Sequence, residues 1–199
     1  MIKQGDTIVN RVTGERMTFV TTSQETDGEA VVVEVVVQPD GFVAAAHLHP
    51  SQKERFEIIE GTLGFKVGKE TVTAGTGERL TVPAGTPHAF WNAGEGEARF
   101  RCTISPALGF ESLLETMFGL AEDGLTNRKG LPNPLRLAVI AHAHRDVVLL
   151  PFPPRWMQLA GLAVGAPLGR LLGYRPTYVP ASRAETGTET TVPSPALAS

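Results

Sequence analysis

The stretch Gly41-Phe42-Val43-Ala44-Ala45-Ala46-His47-Leu48-His49-Pro50-Ser51-Gln52-Lys53-Glu54 decides how this chain is read. In an extended strand, residues i and i+2 point to the same face, so His47 and His49 project together. Neutral imidazole and carboxylate suit first-row divalent metals such as Fe, Mn, Ni, Cu and Zn. A lone His-x-His is more often two surface or core histidines, and a lone Glu54 would be a solvated charge. Glu54 follows on the next segment, however, and His88 lies in a later one, His88-Ala89-Phe90-Trp91-Asn92. If these segments are neighbouring strands of a barrel, the four side chains can share one metal.

The surrounding sequence supports strands. Up to about residue 106 the chain reads as short apolar runs cut by turns: Thr7 to Val12, Met17 to Thr22, Ala30 to Gln38, Phe56 to Ile59, Thr62 to Val67, Glu70 to Thr73, Arg79 to Val82, His88 to Trp91 and Ala98 to Ile104. Thr13-Gly14-Glu15 reads as a hairpin connection, and Pro39-Asp40-Gly41 as a turn. Many short strands at close spacing predict an all-β sandwich or barrel.

After Pro106 the period changes. Phe110, Leu113, Leu114, Met117 and Phe118 follow the i, i+3, i+4, i+7, i+8 spacing of an amphipathic helix. Asn133-Pro134 places a capping residue before a first-turn proline, predicting a second helix over Leu135 to Leu150. Pro151 to Pro154 breaks it, and Arg155 to Leu172 reads as a third. The expected organisation is a barrel over 1–106, a helical extension over 107–176 and a disordered tail over 177–199, which is rich in Ser, Thr, Ala, Pro and Glu. His142 and His144 form another His-x-His, but on a helix they lie about 200° apart and cannot share a metal. The expectation there is one solvated and one packed histidine, with His142 and Asp146 as a surface pair.

The two motifs can be written G-x5-H-x-H-x4-E-x6-G, from Gly41 to Gly61, and G-x5-P-x-G-x2-H-x3-N, from Gly77 to Asn92. In these residues the chain resembles the cupin superfamily, whose two signature motifs have this form. All ten motif positions match, with 15 residues between Gly61 and Gly77. The resemblance implies an RmlC-like jelly-roll barrel, a double-stranded β-helix. It also implies one divalent transition metal (Fe, Mn, Ni, Cu or Zn) on His47, His49, Glu54 and His88.

Strand parity extends the expected site. With those four inward, Val43, Ala45, Phe56, Ile58, Phe90 and Asn92 should also face the interior, giving a mostly apolar lining. No Arg or Lys is placed inward around the motifs, though Arg99 and Arg101 are open between faces. This weighs against phosphosugars and small dicarboxylates, which call for a cation. The function expected is a dioxygenase-like oxidoreductase acting on a small, largely apolar or aromatic molecule that chelates the metal. A non-redox isomerase or cyclase, with Glu54 as general base, and a non-catalytic binding protein are the alternatives. The helical extension reads either as a lid over the barrel mouth, with Trp156 and Met157 the first residues to test, or as a packing appendage or dimer interface.

Composition excludes other classes. A net charge of −3 over 199 residues gives no basic footprint for nucleic acid or an anionic membrane. The first residues lack the apolar core of a signal peptide, and no apolar run is long enough to span a bilayer. Cys102 is the single cysteine, which forbids an internal disulfide and fits a reduced cytoplasmic setting. In Arg99-Phe100-Arg101-Cys102-Thr103 it reads as a small apolar strand residue. A homodimer with no nucleic-acid or membrane partner is expected.

Overall fold

The computed structural model describes residues 2–182. Nine strands precede three helices: β1 (Thr7–Asn10), β2 (Glu15–Thr21), β3 (Val31–Val37), β4 (Lys53–Glu60), β5 (Thr62–Val67), β6 (Glu70–Gly75), β7 (Arg79–Val82), β8 (His88–Asn92) and β9 (Ala98–Ser105), then α1 (Phe110–Glu122), α2 (Pro134–Ala143) and α3 (Arg155–Leu171). Strand formation follows side-chain chemistry. In β3, Val31, Val33, Val35 and Val37 are buried while Val32, Glu34 and Val36 face outward, the alternation of a strand with one face on a core.

The strands form a six-stranded sheet, ordered β1-β2-β3-β9-β4-β7, and a three-stranded sheet, ordered β6-β5-β8. Isolated bridges from Phe42 to Trp91 and from His47 to His88 run the first motif along the free edge of β8. The inner faces meet across a cluster of Phe56, Phe65, Phe90 and Phe100, with ring centroids 5.1 to 6.4 Å apart. This is a jelly-roll barrel followed by a helical extension. Two motif glycines have steric reasons. Gly61 turns β4 into β5 at φ +77°, where an added Cβ would stand 2.8 Å from the Glu97 carbonyl oxygen. At Gly41 a Cβ would stand 2.6 Å from Val37 Cγ1.

The helices follow the sequence with one correction. The Asn133 Oδ1 accepts the Arg136 N–H (2.9 Å) and caps α2, with Pro134 in its first turn. The helix stops at Ala143, short of the predicted Leu150. Residues 144–147 instead form a turn, and Leu149 beyond it pairs with Leu48, the two exchanging backbone hydrogen bonds of 2.9 Å. An unpaired edge beside His47 and His49 outcompetes local helical propensity. Asp146 is therefore not one helical turn from His142, and the expected pair loses its geometry. His144 is buried at the helix end, with Nδ1 donating to the Ile140 carbonyl (2.9 Å), and His142 is half-buried. Of the expected tail, residues 183–199 lie outside the described residues. Within 177–182, the Tyr178 hydroxyl donates to Asp123 (2.6 Å) and Pro180 is buried. No described helix is long and apolar enough to cross a membrane.

Candidate metal centre

The two motifs meet because His47 and His88 form an antiparallel bridge, exchanging backbone hydrogen bonds of 3.0 and 2.7 Å. His49 follows on the same face two residues on, and β4 brings Glu54 across from the facing sheet. One donor atom from each of His47, His49, Glu54 and His88 lies within 4.8 Å of the others. His49, Glu54 and His88 are buried, and His47 is partly so.

Each imidazole is oriented by a backbone carbonyl. The Nδ1 of His47 lies 2.8 Å from the Ala45 oxygen, that of His49 2.6 Å from the Val147 oxygen, and that of His88 3.0 Å from the Thr86 oxygen. A carbonyl only accepts, so each Nδ1 carries the proton, and in the neutral ring Nε2 keeps its lone pair for the cluster. His88 Nε2 stands 2.6 Å from Glu54 Oε2, and His49 Nε2 stands 3.4 Å from Oε1. Yet His49 Nε2 and Glu54 Oε2 are buried without a properly aligned hydrogen bond. Converging buried lone pairs are unfavourable unless an electropositive centre lies among them. The cluster is thus able to hold a divalent metal, with the carbonyls acting as the outer supports that metal-binding histidines use.

The electrostatics agree. Burial, then repulsion from His88 and His49, pushes the His47 imidazole down to about 4, leaving it neutral at pH 7. For Glu54, burial opposes the charge, but the imidazoles of His49 and His88 outweigh it and hold the carboxyl well below the usual range. Burial also opposes charge on His49, while Glu54 more than offsets it and raises that imidazole. Cys102 is buried, and its thiol is pushed well up by burial and by Glu54. It stays protonated, as an apolar wall residue rather than a nucleophile.

The cluster opens into a cavity of about 510 Å³ between the sheets. Of the parity set, Val43, Ala45, Phe56 and Phe90 line it, but Ile58 and Asn92 do not. Ile58 lies two residues past Phe56 in the closed core. The Asn92 amide is fully engaged, donating to the Val37 and Gly96 carbonyls (2.9 and 2.8 Å) and accepting the Gly94 N–H (2.9 Å). Arg99 and Arg101 point outward, Arg101 to Glu34, and among the described residues no Lys or Arg lines the cavity.

Sequence reasoning passed over three contributors. Asn10 and Glu15 also line the cavity, although Glu15 shares strand parity with Met17 and Phe19, which could have found it. Val147, whose carbonyl orients His49, carried no local signal. The helices also contribute, with Phe110, Leu113 and Met117 of α1, Leu137 of α2 and Met157 of α3 forming a roof. Trp156 does not line the cavity and is 70% exposed, so of the two expected lid residues only Met157 faces it.

Comparison with known proteins agrees with this architecture. A family model described as "Cupin domain" matches residues 33–104. The chain is 28% identical over 149 residues to the "Probable oxidoreductase virH" of Hypocrea virens, covering 66% of this chain and 64% of that protein. It is 30% identical over 122 residues to the "Oxidoreductase iacF" of Pestalotiopsis fici, covering 57% and 58%. The chain thus spans less than two thirds of the length of these two curated relatives. Among solved structures, an RmlC-like cupin from Shewanella frigidimarina aligns at 16% identity with a TM-score of 0.47, over 54% of this chain and 89% of that one. With both motifs in place and the jelly-roll topology around them, residues 33–104 of this chain match the cupin domain family.

Proposed function

We propose that this cupin is a metal-dependent oxidoreductase, dioxygenase-like, acting on a small and largely apolar or aromatic molecule that chelates the metal through a hydroxyl or enol oxygen. One observation carries the reading: a four-residue donor cluster opens into an apolar cavity of about 510 Å³ that, among the described residues, no Lys or Arg lines. The curated relatives' printed names, both oxidoreductases, support the reaction class. A divalent transition metal held by His47, His49, Glu54 and His88 would supply Lewis acidity and, if redox-active, an electron relay to dioxygen.

The chain's own residues supply the rest. The carbonyls of Ala45, Thr86 and Val147 fix the imidazole tautomers before any ligand arrives. Phe56 and Phe90 offer an apolar bed for a ring, and the roof of α1, α2 and α3 excludes water. The Glu54 carboxylate is the base at hand for a chelating hydroxyl proton, accepted at Oε2; its lowered basicity restricts it to acidic hydroxyls such as phenols and enols. A cytoplasmic homodimer is part of the same proposal, and sedimentation velocity of the full chain checks its stoichiometry.

The test is elemental analysis of protein purified without a metal-binding tag, followed by oxygen uptake with phenolic and enol substrates. Near-stoichiometric metal and substrate-dependent oxygen consumption are expected. Metal below about one-tenth per chain overturns the metal assignment. Equal turnover without oxygen overturns the redox assignment in favour of an isomerase or cyclase.

A further inference from the structure

Away from the metal centre, the same cavity holds two polar side chains in an otherwise apolar wall. Asn10 and Glu15 are the closing pair of the β1–β2 hairpin, directly opposite one another, and only 2% and 5% exposed. Both line the cavity. Each is held on one side and open on the other. The Asn10 Oδ1 accepts the N–H groups of Val12 and Thr13 (3.1 and 3.2 Å), which leaves its Nδ2 facing away from the turn. The Thr13 hydroxyl donates to Glu15 Oε2 (2.7 Å). Among the described residues, no protein group hydrogen-bonds to Asn10 Nδ2 or Glu15 Oε1. The hairpin's own needs are met by the other two atoms, so this donor and this acceptor are surplus to the fold.

Strand register separates the pair from the metal centre. Glu15 lies opposite Val37 at one end of β3, whereas Glu54 lies opposite Ile104, which lies opposite Val31 at the other end. Six residues of strand correspond to about 20 Å along the sheet. Glu15 therefore cannot serve the atoms held at the metal centre. An apolar cavity with a few polar groups at a fixed separation is the pattern of a ligand site that sets orientation.

We propose that Asn10 and Glu15 form a second recognition point, which takes a hydroxyl group at the far end of an elongated, largely apolar ligand. The proposal rests on the preceding reading only in taking the cavity as the ligand site. A hydroxyl matches the two open atoms: its oxygen accepts from Asn10 Nδ2, and its proton is donated to Glu15 Oε1. A carboxylate end would meet Glu15 with like charge. An ammonium end would have to be stripped of water along an apolar cavity. Burial pushes the Glu15 carboxyl up to about 7, against the pull of the Thr13 hydroxyl, so near neutrality it both donates and accepts.

The test uses the full chain loaded with zinc and two probes, a catechol bearing a decyl chain and the same molecule with a hydroxyl at the chain end. Calorimetry on the wild type should show the hydroxyl-tipped probe binding at least as tightly as the plain one. In Glu15→Leu the balance should shift toward the plain probe by about tenfold or more, as the loss of one buried hydrogen bond implies. In wild-type protein, the carbon-13 carboxyl resonance of Glu15, assigned by its absence in Glu15→Gln, should move with the hydroxyl-tipped probe and not with the plain one. An unmoved resonance, or equal discrimination in wild type and Glu15→Leu, would mean that water or the hairpin alone occupies the pair, and overturns the proposal. If neither probe binds, this proposal and the apolar-ligand reading fall together. If discrimination holds while protein carrying its own purified metal takes up no oxygen with phenolic or enol substrates, only the oxidoreductase reading falls.

Discussion

The barrel and the helical extension bury their apolar residues in opposite ways. In the barrel, alternate residues of β2, β3, β4, β8 and β9 are sealed between two sheets. Helix α3, by contrast, buries only Ala166 and Gly169, while Trp156, Val164, Leu168 and Leu171 stay 48 to 83% exposed. A region stabilised mainly by its own packing would not be built that way. What the extension does contribute is local: a roof over the cavity, and the carbonyl that orients His49. The barrel thus provides the donors, and the extension completes their surroundings.

The sharpest way to break this division is to delete donors. His88→Ala and Glu54→Gln should each lower metal affinity by well over 100-fold, read by metal titration, while circular dichroism still reports a folded barrel. Retained affinity would show that the ligands lie elsewhere.

The next effect tests Glu15, a buried carboxyl of the barrel interior that stands apart from the metal centre. The folded-state pKa of Glu15 lies at about 7, against an ordinary 4.5. Its contribution to stability is fully present below pH 4.5, where both states are protonated. It then declines as only the unfolded state ionises, and is gone above pH 7. That difference corresponds to about 3 kcal/mol across the window. Denaturant melts of Glu15→Gln between pH 4 and 8 should lack this fall, and an identical slope would remove the assignment.

A third, smaller effect separates a working extension from an appendage. Leu149→Pro removes the N–H that Leu149 donates to Leu48, loosening the segment that carries the Val147 carbonyl. A 10- to 100-fold loss of metal affinity is expected, the usual scale for disturbing an outer support. Unchanged affinity would make the helices passive. The mildest comparison is Met157→Ala against Trp156→Ala. The first should weaken apolar probe binding a few-fold, because Met157 lines the cavity. The second should leave binding unchanged and shift stability by less than about 0.5 kcal/mol.

Legibility in the sequence divides along the same line. His47, His49, Glu54 and His88 could be read because strand parity has a period of two and the turn glycines fix the register between motifs. Glu15 was readable in principle from its parity with Met17, but Thr13-Gly14-Glu15 reads as a hairpin connection, whereas Glu15 is already the first, inward-facing residue of β2. The end of α2 and the role of Val147 were not readable, because nothing in residues 144–150 breaks a helix. Only the unpaired backbone at Leu48 draws Leu149 out of the helical path.

The hydrogen bond from His49 to the Val147 carbonyl joins the two regions thermodynamically. Whatever free energy that bond lends to metal affinity must be returned, by reciprocity, as stability of the docked segment when metal is present. A metal bound at the centre would therefore stabilise the segment that carries Val147, and weakening that segment would in turn weaken the metal.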